Sequence, residues 1–131
     1  MKLTFPGEPI AKQAVKTTMR GGWARHYYPP KTSKALKAMR ALVHAEHGHA
    51  PMTGAVRLQV LFVRARLQSH KKGRQYYPVT RPDLDNCLKL LLDALQPDVL
   101  SDDNQVVSIW ADKIYGENPR TEVEITEVPL C

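Results

Sequence analysis

Acidic side chains are almost missing from the first 80 positions, where only Glu8 and Glu46 stand against 15 Lys and Arg residues, a local net charge of +13. So one-sided a stretch does not suit an acidic partner; it suits a polyanion such as nucleic acid. An uneven solvated surface gives the same pattern, so charge alone leaves both readings open. Cysteine is scarce, with only Cys87 and Cys131 present. No disulfide framework is expected, and a reducing cytoplasm is the expected compartment. Runs of about 18 apolar residues are absent, which argues against a transmembrane helix. The opening Met1-Lys2-Leu3-Thr4-Phe5-Pro6-Gly7 lacks the apolar stretch of a signal peptide. Repeats and low-complexity segments are also lacking. With 131 residues, 43% of them apolar, the chain can bury the core of a single domain spanning 1–131.

The remaining 51 positions hold four basic and 11 acidic residues, a net of −7. A basic body with an acidic cluster fits a polyanion-binding surface around a site that holds cations. Residues 1–5 read as a short strand closed by Pro6-Gly7, and residues 11–30 as irregular and basic. A helix is expected over Ser33–His47, with Ser33 as N-cap, Ala35, Leu36, Met39, Leu42 and Val43 as apolar stripe, and Gly48 just past its end. Val56, Leu58, Val60 and Phe62 alternate along a strand over 55–66. Residues 67–82 break that alternation and read as a long, mobile, basic loop. A second helix is expected over Leu84–Leu95, with Leu84, Leu88, Leu91, Leu92 and Leu95 as its stripe. Residues 104–115 and 121–128 read as two strands of an antiparallel hairpin turning at 116–119. The order β-α-β-α-β-β describes an α+β fold, a mixed sheet with two main helices packed on it.

The chemistry concentrates in Arg81-Pro82-Asp83-Leu84-Asp85-Asn86 and in Asp102-Asp103, which precedes the strand Gln105-Val106-Val107. Gathering carboxylates is unfavourable: two unit charges about 4 Å apart repel by roughly 4 kcal/mol at an effective dielectric near 20. A divalent cation removes that cost. Hard oxygen ligands suit Mg²⁺ or Mn²⁺ rather than Zn²⁺, and such a site can activate water for attack at phosphorus. Asp83, Asp85 and a carboxylate of the Asp102-Asp103 pair are therefore expected to converge on one metal site. Lys89, one turn after Asp85, lies on the same polar flank and is placed to neutralise developing charge. Read separately, the same residues are an N-cap, an i,i+4 surface pair and an acidic turn, and spacing alone does not decide between the two readings.

Asp83-Leu84-Asp85-Asn86, then Lys89, Asp93-Ala94-Leu95 and Asp102-Asp103-Asn104-Gln105-Val106-Val107, resembles the signature of RusA-type Holliday junction resolvases. The opening Pro6-Gly7-Glu8-Pro9-Ile10-Ala11-Lys12-Gln13 is similar to that of phage-type members. The resemblance implies a homodimeric, Mg²⁺-dependent endonuclease that cuts four-way DNA junctions in recombination and repair, with Mn²⁺ as a substitute ion. It implies that Asp83, Asp85 and Asp103 are the metal-binding catalytic carboxylates and Lys89 the essential lysine. Two departures stand out: Cys87 occupies a position where leucine is usual, and Ala14-Val15-Lys16 replaces the arginines that often follow Lys-Gln.

Candidate DNA contacts are Lys12, Lys16, Arg20, Arg25, Lys71, Lys72, Arg74 and Arg81. Tyr76 and Tyr77 are candidates for wedging into a junction. Trp23, Tyr27 and Tyr28 could stack on bases or pack on protein. His44, His47 and His49 lack H-E-x-x-H spacing, so zinc is not expected. Two other readings stay open: a structure-selective DNA-binding protein without catalysis, and a phosphohydrolase acting on small phosphate esters, for which so wide a basic surface is unnecessary.

Overall fold

A computed structural model describes residues 1–129; Cys131 lies outside them. The elements are β1 (Lys2–Pro6), β2 (Lys16–Arg20), β3 (Trp23–Tyr27), α1 (Pro30–His47), β4 (Val56–Ala65), α2 (Leu84–Ala94), a 3-10 turn at Asp103–Gln105, β5 (Val106–Gly116) and β6 (Arg120–Glu127). Four strands form a mixed sheet in the order β1-β6-β4-β5. Only β4 and β5 run parallel. α2 carries the chain back between them, making a β-α-β unit.

The alternation in β4 has the expected outcome: Val56, Leu58, Val60 and Phe62 are buried. They share a face with Leu3 and Phe5 of β1 and with Val123 and Ile125 of β6, and that face meets Val43 of α1 and Leu91 and Leu95 of α2. Burying one such leucine contributes roughly 1.5–3 kcal/mol. The stripe on α2 is rotated from the expected one. Cys87, Leu90, Leu91 and Ala94 are its buried residues, while Leu84, Leu88 and Leu92 are half-buried at the flanks.

Three other expectations are corrected. The segment 11–30 is not wholly irregular, since β2 and β3 pair as a hairpin around Gly21-Gly22, whose φ angles of +58° and +82° suit a tight two-residue turn. α1 starts at Pro30 instead of Ser33. Proline's fixed φ and missing N–H fit the first helical turn, and the Ser33 N–H donates to the Pro29 carbonyl at 3.1 Å. Finally, β5 and β6 do not pair with each other. β4 lies between them, so the four-residue turn at 116–119 crosses the end of β4. No helix among the described residues is long and apolar enough to cross a membrane.

Candidate active site

Asp83 stands at the N-cap position of α2 with its backbone extended. The preceding carbonyls are held by two strand residues. Arg64 near the end of β4 donates to the Arg81 carbonyl at 2.7 Å. Lys113 of β5 donates to the Thr80 and Pro82 carbonyls at 3.1 and 3.2 Å. Two cationic side chains thus hold the backbone that leads into Asp83 and Asp85. Both pairs act electrostatically on Cys87, whose thiol burial pushes up to about 11. Burial thus favours the protonated thiol at neutral pH. Asp83 and Lys89 line a cleft of about 960 Å³ together with Arg81, Asn86, Glu8 and Lys12.

At the other acidic turn, Gln105 uses its whole amide. Its Oε1 accepts from the Ser101 and Asp102 N–H groups at 2.8 and 3.1 Å, and its Nε2 donates to the Met52 and Gly54 carbonyls at 2.8 and 2.9 Å. Two acceptor and two donor positions are all that a glutamine amide has. The turn is thereby pinned to the segment before β4. The Asp102 carboxylate caps the turn by accepting from the Asn104 N–H at 2.8 Å. Asp103 is exposed, and its carboxylate has no partner among the described residues. Of the two neighbours, Asp103 has the unengaged oxygens.

The two turns do not come together within the chain, contrary to the expected convergence. Asp83 and Asp85 precede or open α2, while Asp103 precedes β5, so the β-α-β unit puts them at opposite ends. The 11 residues of α2 span about 16 Å. The seven steps of β5 from Val106 to Lys113 span roughly 23 Å. Among the described residues, no three His, Cys, Asp or Glu side chains form a cluster that could hold a metal ion. The donors are hard oxygens, which suit Mg²⁺ in kind, but one chain does not assemble all three.

The basic residues sort by place. In the β2–β3 hairpin the register pairs Lys16 with Tyr27, Thr18 with Arg25 and Arg20 with Trp23. Alternation puts all six on one face, so three cations and two aromatics share it. The other face carries Met19, Ala24 and the bonded pair Thr17–His26 at 2.9 Å. Every residue of both strands is exposed, Trp23 by 80%. Lys12, by contrast, is paired with Asp93 at 2.8 Å, a contact that raises its pKa. The irregular loop carries exposed Lys71, Lys72, Arg74 and Arg81. Tyr76 is docked: His70 stacks on its ring at 4.0 Å, and its carbonyl accepts from the Tyr115 N–H at 3.1 Å. Tyr77 remains 65% exposed. His44 and His49 both contact Asp98, at 3.0 and 2.9 Å, tying the end of α1 to the segment after α2.

Sequence reasoning assigned no role to Arg64, Lys113 or the Gln105 side chain. The available signal was a cation near the end of each parallel strand and a glutamine closing the D-D-x-Q pattern.

Comparison with known proteins gives the family. The family model described as "Endodeoxyribonuclease RusA" matches residues 6–126. An uncharacterized protein of Bacillus subtilis (strain 168), YqaN, is 36% identical over 98% of this chain and 96% of its own length. A crossover junction endodeoxyribonuclease, rusA, of Lactococcus phage r1t is 42% identical over 56% of this chain and 55% of its own. With nearly its full length matched, including both acidic turns and the lysine between them, the chain belongs to the RusA endodeoxyribonuclease family.

Proposed function

We propose that this chain resolves four-way DNA junctions by paired, Mg²⁺-dependent cleavage of phosphodiester bonds, acting in recombination and repair as a cytoplasmic homodimer. The observation that carries the reading is the cleft lined by Asp83, Lys89 and Arg81, in a chain of an endodeoxyribonuclease family. Asp83, Asp85 and Asp103 would hold the ion, Mn²⁺ serving as substitute. When bound, the ion lowers the pKa of water and neutralises charge on the reacting phosphate. Lys89 supplies a positive charge from the helix flank to the same phosphate. Lys16, Arg20 and Arg25 on the hairpin, and Lys71, Lys72, Arg74 and Arg81 on the loop, would contact the backbone, which positions DNA without reading sequence. Tyr77 is better exposed for wedging than Tyr76. Lys12 supports α2 through Asp93 and borders the cleft. A symmetric junction needs two cuts, which two equivalent sites of a C2 dimer supply.

The test is incubation of the purified chain with a synthetic four-way junction, with Mg²⁺ or with EDTA, read on a denaturing gel. Symmetric nicks that require the ion support the reading. Tight junction binding without nicking at any divalent ion would overturn it in favour of a non-catalytic binding protein.

A further inference from the structure

Trp23, Tyr27 and Tyr28 come to different ends in the structure. Tyr28 is half-buried, and the Lys12 ammonium stands over its ring, 5.3 Å from the centroid. Trp23 and Tyr27 stay on the open hairpin, exposed by 80% and 39%. The register gives each of these rings a cation as its cross-strand neighbour. Trp23 lies opposite Arg20 and Tyr27 opposite Lys16, with Arg25 opposite Thr18 between them. Opposed Cβ atoms are about 5 Å apart, and Trp23 and Tyr27 are separated by about 13 Å along β3. No acidic residue occurs between Glu8 and Glu46, so no carboxylate on the hairpin or its flanks offsets the three charges.

Each end of this face thus offers a flat ring for a base and a positive charge for the phosphate beside it, the combination that holds single strands. A base inside a duplex has neighbours on both of its faces, so only an unstacked base can lie on Trp23 or Tyr27. A protein partner is a poor match, because the core of a protein interface is depleted of charged residues. The hairpin also starts and ends at the cleft: Ala14 and Val15 before β2 and Tyr28 after β3 line it together with Asp83 and Lys89. Lys16 and Tyr27 therefore stand next to the cleft, and Arg20 and Trp23 at the outer end.

We infer that the β2–β3 hairpin is a platform for single-stranded DNA, on which unstacked nucleotides at the edge of the cleft lay one base on Tyr27 and another on Trp23. The inference rests on the junction reading above and names the state of the DNA at the hairpin: an unpaired strand next to the branch point, not an intact duplex arm. It gives the exposed rings a task that phosphate contacts alone leave without one.

Fluorescence tests it. The chain has two tryptophans, Trp23 and Trp110, and Trp110→Phe leaves Trp23 as the only indole. In EDTA, which withholds the metal for cleavage, this variant is titrated with oligothymidylate and with a blunt duplex of equal length, while the anisotropy of a label on the DNA follows binding. Saturating oligothymidylate should quench Trp23 emission, and duplex should leave it near the value of the free protein. Oligothymidylate that fails to bind, or that binds without quenching, would overturn the inference. So would equal quenching by the duplex. Emission that already changes with protein concentration before DNA is added would put a second copy of the chain on this face and overturn it too.

Affinities give a second readout. Trp23→Ala should weaken oligothymidylate binding about fivefold or more, the low end for one base–aromatic contact, and Trp23→Phe should recover most of the loss. Duplex affinity should stay as in wild type. Equal losses on both DNAs would overturn the stacking role. Quenching in a protein that never nicks a junction would remove the nuclease reading and leave the platform standing; nicking without quenching would do the reverse.

Discussion

The acidic turns and the basic excursions of this molecule are built in opposite ways. At each acidic turn the backbone is held from several sides, by Arg64 and Lys113 at 80–82 and by four bonds to the Gln105 amide at 101–105. The β2–β3 hairpin buries none of its side chains, and the loop 67–82 is irregular between its anchor at Tyr76 and the clamp at Thr80. A two-stranded hairpin is marginal on its own in water. On the proposed reading, the difference is a division of work. Groups that take part in bond breaking need fixed positions, because small misplacement is costly. Groups that find phosphates on branched DNA can adapt to the substrate.

The largest expected effect comes from the acidic side. Asp83→Asn should lower junction cleavage by about a thousandfold, the scale of removing one preorganised electrostatic group. Junction affinity in a gel-shift assay should stay the same or rise, because a charge that repels phosphates is gone. Loss of affinity in a folded variant would break the comparison, since an acidic turn would then be a binding element.

Gln105→Leu comes next. The change removes the clamp without touching a carboxylate, and it should reduce cleavage roughly 10- to 100-fold, as outer-shell changes at metal sites do. The Mg²⁺ concentration for half-maximal rate should rise with it. Should cleavage fall with no change in Mg²⁺ dependence, Gln105 would be holding the fold and not aiming Asp103.

The basic side should respond in its salt dependence. Alanine at Lys71, Lys72 and Arg74 should flatten the slope of log affinity against log salt by about 0.9 for each phosphate that is no longer neutralised, up to about 2.7 in all. Alanine at Lys16, Arg20 and Arg25 should do the same, which ranks the two excursions directly. Trp23→Ala should weaken junction binding about fivefold or more, the low end for removing one aromatic ring from under a base, and leave the slope unchanged. An unaltered slope in either triple variant would remove that excursion from the binding surface.

The smallest effect concerns the clasp between the end of α1 and Asp98. Two imidazoles hold the Asp98 carboxyl below its ordinary pKa. Its stabilising contribution is therefore full above the unfolded value near 3.9 and is lost as pH falls through the lower folded value. A His44→Ala/His49→Ala variant should melt below wild type at pH 6, and the gap in Tm should close as pH approaches 2. A gap that widens on acidification would reverse the assignment.

The legibility of this fold tracks how much each segment buries. β4 and α2 were readable because their apolar spacing records a buried face. The hairpin was not, since it buries no face and leaves no periodic trace; Gly21-Gly22 between Arg20 and Trp23 was the one turn signal. The β5–β6 pairing failed because 116–119 has the length of a hairpin turn, and nothing local records that β4 lies between the strands. In the site, residue types and motif spacing named the chemistry. Distance was hidden, because residues at a helix start and before the next parallel strand lie at opposite ends of a β-α-β unit whatever their separation in sequence. Arg64 and Lys113 escaped notice because charges near strand ends read as solvent-facing.

The length of α2 has a consequence for control. In one chain it keeps Asp103 a helix length from Asp83 and Asp85. On the proposed reading the nuclease is a homodimer; below its dissociation constant the paired form falls as the square of the chain's concentration, and a tenfold drop in expression removes about 99% of it.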